Sequence, residues 1–173
     1  MYILSRIREM TYDIDAIRAY AAEKHGDQKY GDLPYVYHLD KVYKESLLYG
    51  LPPIVIAATP LHDIIEDTDV THEDLVKEFG SIELADLVFC VTDEPGRNRK
   101  ERKAATYSKI KANPNAVALK LCDRISNVRS CVEWGNNGLL GMYGKEQPEF
   151  KSQLKTSNMY PNMWAVLDSL IGG

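Results

Sequence analysis

A chain of 173 residues, 45% hydrophobic and 27% charged, has the apolar content for one domain with a sizeable core. No apolar run approaches the ~20 residues that span a bilayer, and a formal charge of −4 gives no global support for nucleic-acid binding. Cys90, Cys122 and Cys131 are odd in number and lack metal-type spacing, so they read as the reduced, buried thiols of a cytosolic protein.

Met1 to Met10 alternates apolar and charged residues and has neither the apolar core nor the cleavage site of a signal peptide. A cytoplasmic location follows by default. Asp13 to Lys24 has Ile14, Ile17 and Ala21 at helical spacing, which predicts an amphipathic helix ending near His25-Gly26. The stretch from His25 to Pro34 is dense in Gly, Asp and Pro and reads as a loop. A second helix is expected from Tyr35 to Tyr49-Gly50, with His38 in its first turns. Pro52-Pro53 opens a third, tolerated in a first helical turn. Pro60 lies inside that helix and should kink it just before His62.

Thr71 and Asp74 have capping-box spacing ahead of a helix from His72 to Phe79, which Gly80 ends. Ile82 to Val91 reads as a short helix and Thr92 to Asn98 as a loop. Arg99 to Lys111 reads as a basic helix, and Ala116 to Trp134 as the longest helix, with Val117, Leu121, Ile125 and Val128 as its buried stripe. Helices over 139–154 and 157–170 follow. No strand, repeat or linker stands out. The expected class is all-α, a single helical bundle of eight to ten helices over 1–173, its core at about 12–135 and the C-terminal helices of 139–170 packed on it.

The chemistry concentrates in Leu61-His62-Asp63-Ile64-Ile65-Glu66-Asp67. Residues four apart share a helix face, so a helical run stacks Glu66 over His62 and Asp67 over Asp63. Carboxylates crowded beside apolar residues call for a cation or a reaction. Asp123, among buried-type residues on the longest helix, also needs a partner. His38, His62, Asp63 and Asp123 together supply two imidazoles and two carboxylates, a set suited to Mn, Fe or Zn with positions open for water and substrate. Glu66 and Asp67 remain as a separate acid/base pair. His72 reads as solvated, and His25 as a supporting residue rather than a ligand.

These motifs carry a resemblance. Ala22-Glu23-Lys24-His25-Gly26-Asp27-Gln28, Leu33-Pro34-Tyr35-Val36-Tyr37-His38, Leu61 to Thr71, Glu78-Phe79-Gly80, Val91-Thr92-Asp93 and Leu119 to Arg129 occur in the order of the HD-domain metal phosphohydrolases. Within these the chain most resembles the RelA/SpoT hydrolase domain and the stand-alone small alarmone hydrolases. The resemblance implies that His38, His62, Asp63 and Asp123 bind a metal, usually manganese, that Glu66 and Asp67 position and deprotonate water, and that Asn127 meets the substrate. The implied reaction is removal of pyrophosphate from the 3′ position of ppGpp or pppGpp. With no synthetase domain in these residues, such an enzyme is expected only to degrade.

The loop Gln28-Lys29-Tyr30-Gly31-Asp32-Leu33-Pro34 is one residue shorter than the family's and lacks its basic residue against guanine, leaving Lys29 or Tyr30 for the base. Arg99, Lys100 and Lys103, at helical spacing, are candidates to attract a polyphosphate, with a solvated charged face as the plainer alternative. Tyr143 reads as core packing or as the far wall of a pocket. The alternatives are an HD-type phosphatase acting on NADPH or a 5′-nucleotide, and a non-catalytic nucleotide-binding module, against which the acid pair speaks. No nucleic-acid or membrane partner is expected.

Overall fold

In the computed structural model Asp13 caps the first helix, its carboxylate accepting the Ala16 amide at 3.0 Å. The structure describes residues 11–172. The Met1–Met10 stretch lies outside them. Ten α-helices follow in chain order: α1 Ile14–His25, α2 Val36–Leu48, α3 Pro53–Ala58, α4 Ile64–Asp67, α5 His72–Phe79, α6 Ile82–Val91, α7 Arg99–Ile110, α8 Pro114–Glu133, α9 Asn137–Leu154 and α10 Pro161–Gly172. The all-α class and the expected number of helices are what the structure has.

Helix α8 is the axis. Thirteen of its twenty residues are buried, so partners surround it rather than flanking one face. It packs against α2, α3, α6, α7, α9 and α10. Leu119, Leu121, Ile125 and Val128 are fully buried there. The helix begins at Pro114 rather than Ala116, because Asn113 caps it by accepting the Asn115 amide at 3.0 Å and Pro114 needs no amide partner at a first position. The Thr71–Asp74 capping box forms as its spacing predicts, and Gly80 ends α5 in the left-handed region.

The last helix starts at Pro161 rather than at 157, and two further local features differ from the sequence reading. The α1–α2 loop holds a short antiparallel hairpin, β1 Lys29–Tyr30 against β2 Leu33–Pro34, with Tyr30 opposite Leu33. Gly31 turns it at φ +60, a conformation glycine adopts without strain. Strands of two residues carry too little alternation to be seen as a pattern.

The run from Pro53 is not one helix. It breaks into α3, a 3₁₀ turn over Thr59–Leu61, and α4, whose N-cap is Asp63. Pro60 is the cause, since it has no amide for the Ile56 carbonyl one turn back. The Thr59 hydroxyl donates to that carbonyl instead, at 2.7 Å. His62 therefore does not share a helix with Glu66. Asp63 and Asp67 keep a helical relation, the Asp67 amide donating to the Asp63 carbonyl at 2.9 Å.

Candidate active site

The break at Pro60 sets the first ligand. The tightened turn brings the Thr59 carbonyl within 2.7 Å of His62 Nδ1. A carbonyl only accepts, so Nδ1 donates and Nε2 is left to face inward. Helix α2 supplies His38 in its first turn, just after the hairpin, and α8 supplies Asp123. The two Nε2 atoms lie 3.2 Å apart. His62 Nε2 is 2.9 Å from Asp63 Oδ2 and 3.7 Å from Asp123 Oδ1. His38 Nε2 is 3.7 Å and 3.6 Å from the same two oxygens. Donor atoms of His38, His62 and Asp123 all lie within 4.8 Å of one another. Ligands about 2.1 Å from one ion and at right angles are about 3 Å apart, so these residues fit a divalent metal.

Each carboxylate is held by a further side chain. The Tyr35 hydroxyl donates to Asp63 Oδ2 at 2.6 Å. Lys120 Nζ lies 3.0 Å from Asp123 Oδ2, and Asn127 Nδ2 also donates to Asp123 through Oδ1. Tyr30 stacks on His38 with ring centroids 4.7 Å apart and donates to Asn127 Oδ1 at 2.8 Å. Such outer contacts orient ligands and fix their protonation.

Electrostatics follow from this packing. Burial alone would raise Asp63 and Asp123. The charges and hydrogen bonds of His62 and His38 outweigh it at Asp63 and hold that carboxyl well below its ordinary value. At Asp123 the nearby Lys120 and His62 bring it down to about 2. Burial opposes the charged form of His62, yet Asp63 and Asp123 push its imidazole up to about 9 in the metal-free site. Burial likewise opposes a charged Lys120, and the surrounding Asp123, Asp63 and Asp93 keep it an ammonium. Burial drives Tyr30 up to about 12 and Tyr35 higher still, helped there by Asp63, so both remain phenols and donors.

The acid pair divides. Glu66 lines the cavity beside the cluster, its Oε2 accepting the Asp93 amide at 3.2 Å. Desolvation, with the charges of Asp93 and Asp63, raises its carboxyl above the ordinary value. Asp67 accepts a hydrogen bond from Gln28 at 2.7 Å and is not among the residues that line the cavity.

That cavity, of about 140 Å³, also has Tyr30, Arg99, Lys103, Asn127 and Tyr143 in its wall. An adjoining groove of about 520 Å³ between α7 and α9 shares Arg99 and Lys103 and adds Lys100. Lys29 is exposed and lines neither. Arg99 is paired with Glu146 at 2.6 Å and Lys103 with Asp93 at 2.8 Å. Tyr143 stands in the cavity wall and also stacks under the Arg124 guanidinium, 4.7 Å from its ring centroid.

Tyr35 and Lys120 were not among the residues singled out from sequence. Lys120 carried a legible signal: a lysine in an apolar run, three positions before an aspartate, is placed to pair with it on one helix face. Tyr35 carried none, since its partner Asp63 is 28 positions away.

An all-α bundle whose buried imidazoles and carboxylates fit a divalent metal, with an acid on the cavity wall, defines a class of metal-site hydrolase folds. The comparisons agree with that class. No protein-family model matches the chain. It is 34% identical over 134 residues to a guanosine-3′,5′-bis(diphosphate) 3′-pyrophosphohydrolase of Aquifex aeolicus, covering 74% of this chain and 19% of that protein. It is 32% identical over 141 residues to the enzyme of that name called MESH1 in Danio rerio, covering 78% of each. A solved structure described as a metazoan orthologue of SpoT that hydrolyses ppGpp superposes with a TM-score of 0.74 at 25% identity, over 92% of this chain and 93% of that one. The chain belongs to the SpoT and MESH1 family of guanosine-3′,5′-bis(diphosphate) 3′-pyrophosphohydrolases. It spans only about a fifth of the Aquifex relative's length.

Proposed function

We propose that this chain removes pyrophosphate from the 3′ position of ppGpp or pppGpp, with a manganese ion held by His38, His62, Asp63 and Asp123. The observation that carries the reading is the convergence of two Nε2 atoms 3.2 Å apart with Asp63 and Asp123, each carboxylate held by a further side chain. Its support in kind is membership of a family named for that reaction. A bound divalent ion supplies Lewis acidity, lowering the pKa of water and neutralising phosphoryl charge.

The protein's own residues then have distinct tasks. Glu66, its carboxyl raised above the ordinary value by burial, takes the proton of the attacking water. Asp67, beside it on α4 but outside the cavity wall, is assigned to orienting that water from the side of Glu66. Lys120 keeps Asp123 ionised and adds a positive charge to the cavity wall, where a phosphoryl group gains negative charge. Tyr30 covers His38 and places an aromatic ring in the cavity wall, where a base could stack. A cavity of about 140 Å³ has room for the scissile phosphate and water. The remainder of a nucleotide extends over the α7–α9 groove, where Arg99, Lys100 and Lys103 meet phosphates, while Asn127 in the cavity wall meets the ribose side.

The test is incubation of the purified protein with ppGpp and manganese, before and after chelation. Release of GDP and pyrophosphate that chelation abolishes supports the reading. Release of phosphate from NADPH or a 5′-nucleotide, with ppGpp intact, replaces the substrate and keeps the centre.

A further inference from the structure

Asp67 is the last residue of α4, a helix of a single turn, and Thr68 after it is extended at φ −134. Nothing in such a short helix fixes the carboxylate of its final side chain. One contact from outside does. Gln28 Nε2 donates to Asp67 Oδ2 at 2.7 Å across 39 positions of sequence. A carboxylate only accepts, so the amide nitrogen of Gln28 faces Asp67 and its oxygen faces the other way. There Gln28 Oε1 is 2.7 Å from His25 Nδ1, which must therefore carry the ring proton.

His25 is buried at the end of α1, and its other nitrogen, Nε2, is buried with no partner among the described residues. Gln28 is thus the ring's single hydrogen-bond partner among the described residues. The ring is clamped by stacking on Tyr35, centroids 4.7 Å apart, and Tyr35 is the residue that braces Asp63. The Gln28 backbone is also pinned: its amide donates to the His25 carbonyl at 3.0 Å, and its carbonyl accepts the Tyr35 amide at 2.9 Å.

We propose that Gln28, locked by His25, is a positioning residue for the reaction. It holds the Asp67 carboxylate in the one orientation in which that acid meets the water, while Tyr35 from the same loop does so for Asp63. The proposal rests on the reading of Glu66 and Asp67 as the pair that handles water. Gln28 and His25 touch neither substrate nor metal in this account. They act through Asp67.

The test is a double-mutant cycle with two readouts. Gln28→Leu removes both hydrogen bonds at similar volume. It should lower kcat about tenfold to a hundredfold, with KM and metal content within about twofold of the parent, as misplacement of a reacting group does. His25→Phe keeps the stack on Tyr35 and loses the donor, and Gln28→Asn is polar but too short to span the gap. Both should show the same split between kcat and KM. Gln28→Leu combined with Asp67→Asn should be no slower than Asp67→Asn alone, because the first acts only through the second.

Independently of turnover, the nitrogen and carbon shifts of the His25 ring should report the Nδ1–H form in the parent and a mixed population in Gln28→Leu. Turnover is read on ppGpp and on bis(p-nitrophenyl) phosphate. A parent silent on ppGpp but active on the diester overturns the alarmone reading and leaves the cycle readable. A Gln28→Leu protein with kcat within about twofold of the parent, or losses that multiply in the double variant, overturns the positioning role. So does an Nε2–H His25 in the parent.

Discussion

The imidazole–carboxylate cluster and the basic rim of α7 are built on opposite rules. In the cluster, His38 and His62 are buried, and Asp63 and Asp123 are each gripped by a second side chain. Four elements, α2, the 3₁₀ turn, α4 and α8, must be packed before it exists. On the rim, Arg99 and Lys100 are exposed, and Arg99 already has a partner in Glu146. The cluster is part of the fold's core and cannot vary without cost. The rim is a solvated surface whose charges are shared among neighbours, so it can be retuned. On the proposed function, reaction type would belong to the first and substrate preference to the second.

The largest expected effect tests the cluster. His62→Ala or Asp63→Ala should lose bound metal and turnover together, read by elemental analysis and product release. Retention of either one alone would separate the cluster from the chemistry. Glu66→Gln comes next. It should keep metal and lose about 10²- to 10⁴-fold in kcat, the usual cost of removing a positioned base.

Proton competition gives the third. In the metal-free protein the His62 imidazolium is held up to about 9, so below that pH a metal must displace a proton. Apparent affinity should rise about tenfold per pH unit below about 9 and level off above it, as calorimetry in matched buffers would show. The sign for stability is the reverse. The imidazolium's contribution to the metal-free fold is complete below its ordinary value of about 6.5 and is lost as pH rises through about 9. Asp123, held at about 2, contributes above the ordinary carboxylate value and loses that contribution only as pH falls through about 2.

The smallest effect belongs to the rim. Lys100→Ala should raise KM by less than about fivefold and leave kcat unchanged, with the difference shrinking in salt, because exposed charge contacts are weak and screened. A large fall in kcat there would erase the contrast between the two regions.

Much of the bundle was legible because its signals are local. The cap at Asp13, the Thr71–Asp74 box and the apolar stripe of α8 are all set within a turn or two of sequence. The quartet His38, His62, Asp63 and Asp123 was legible as residue types that have no business near a core unless they share a partner. What escaped depends on contacts between distant segments or on a broken pattern. Tyr35 reaches Asp63 and Gln28 reaches Asp67 only after α1, α2 and α4 have packed. Pro60 was visible as a fault in a helix. Its consequence, a turn whose Thr59 hydroxyl serves the Ile56 carbonyl while the Thr59 carbonyl orients His62, needs the backbone path that follows the break.

The central claim is that one divalent ion sits among these four side chains. Crystals soaked in manganese and measured for anomalous scattering test it directly. The account predicts one strong peak within about 2.0 to 2.4 Å of His38 Nε2, His62 Nε2 and oxygens of Asp63 and Asp123. A peak elsewhere, or none at saturating manganese, would contradict it.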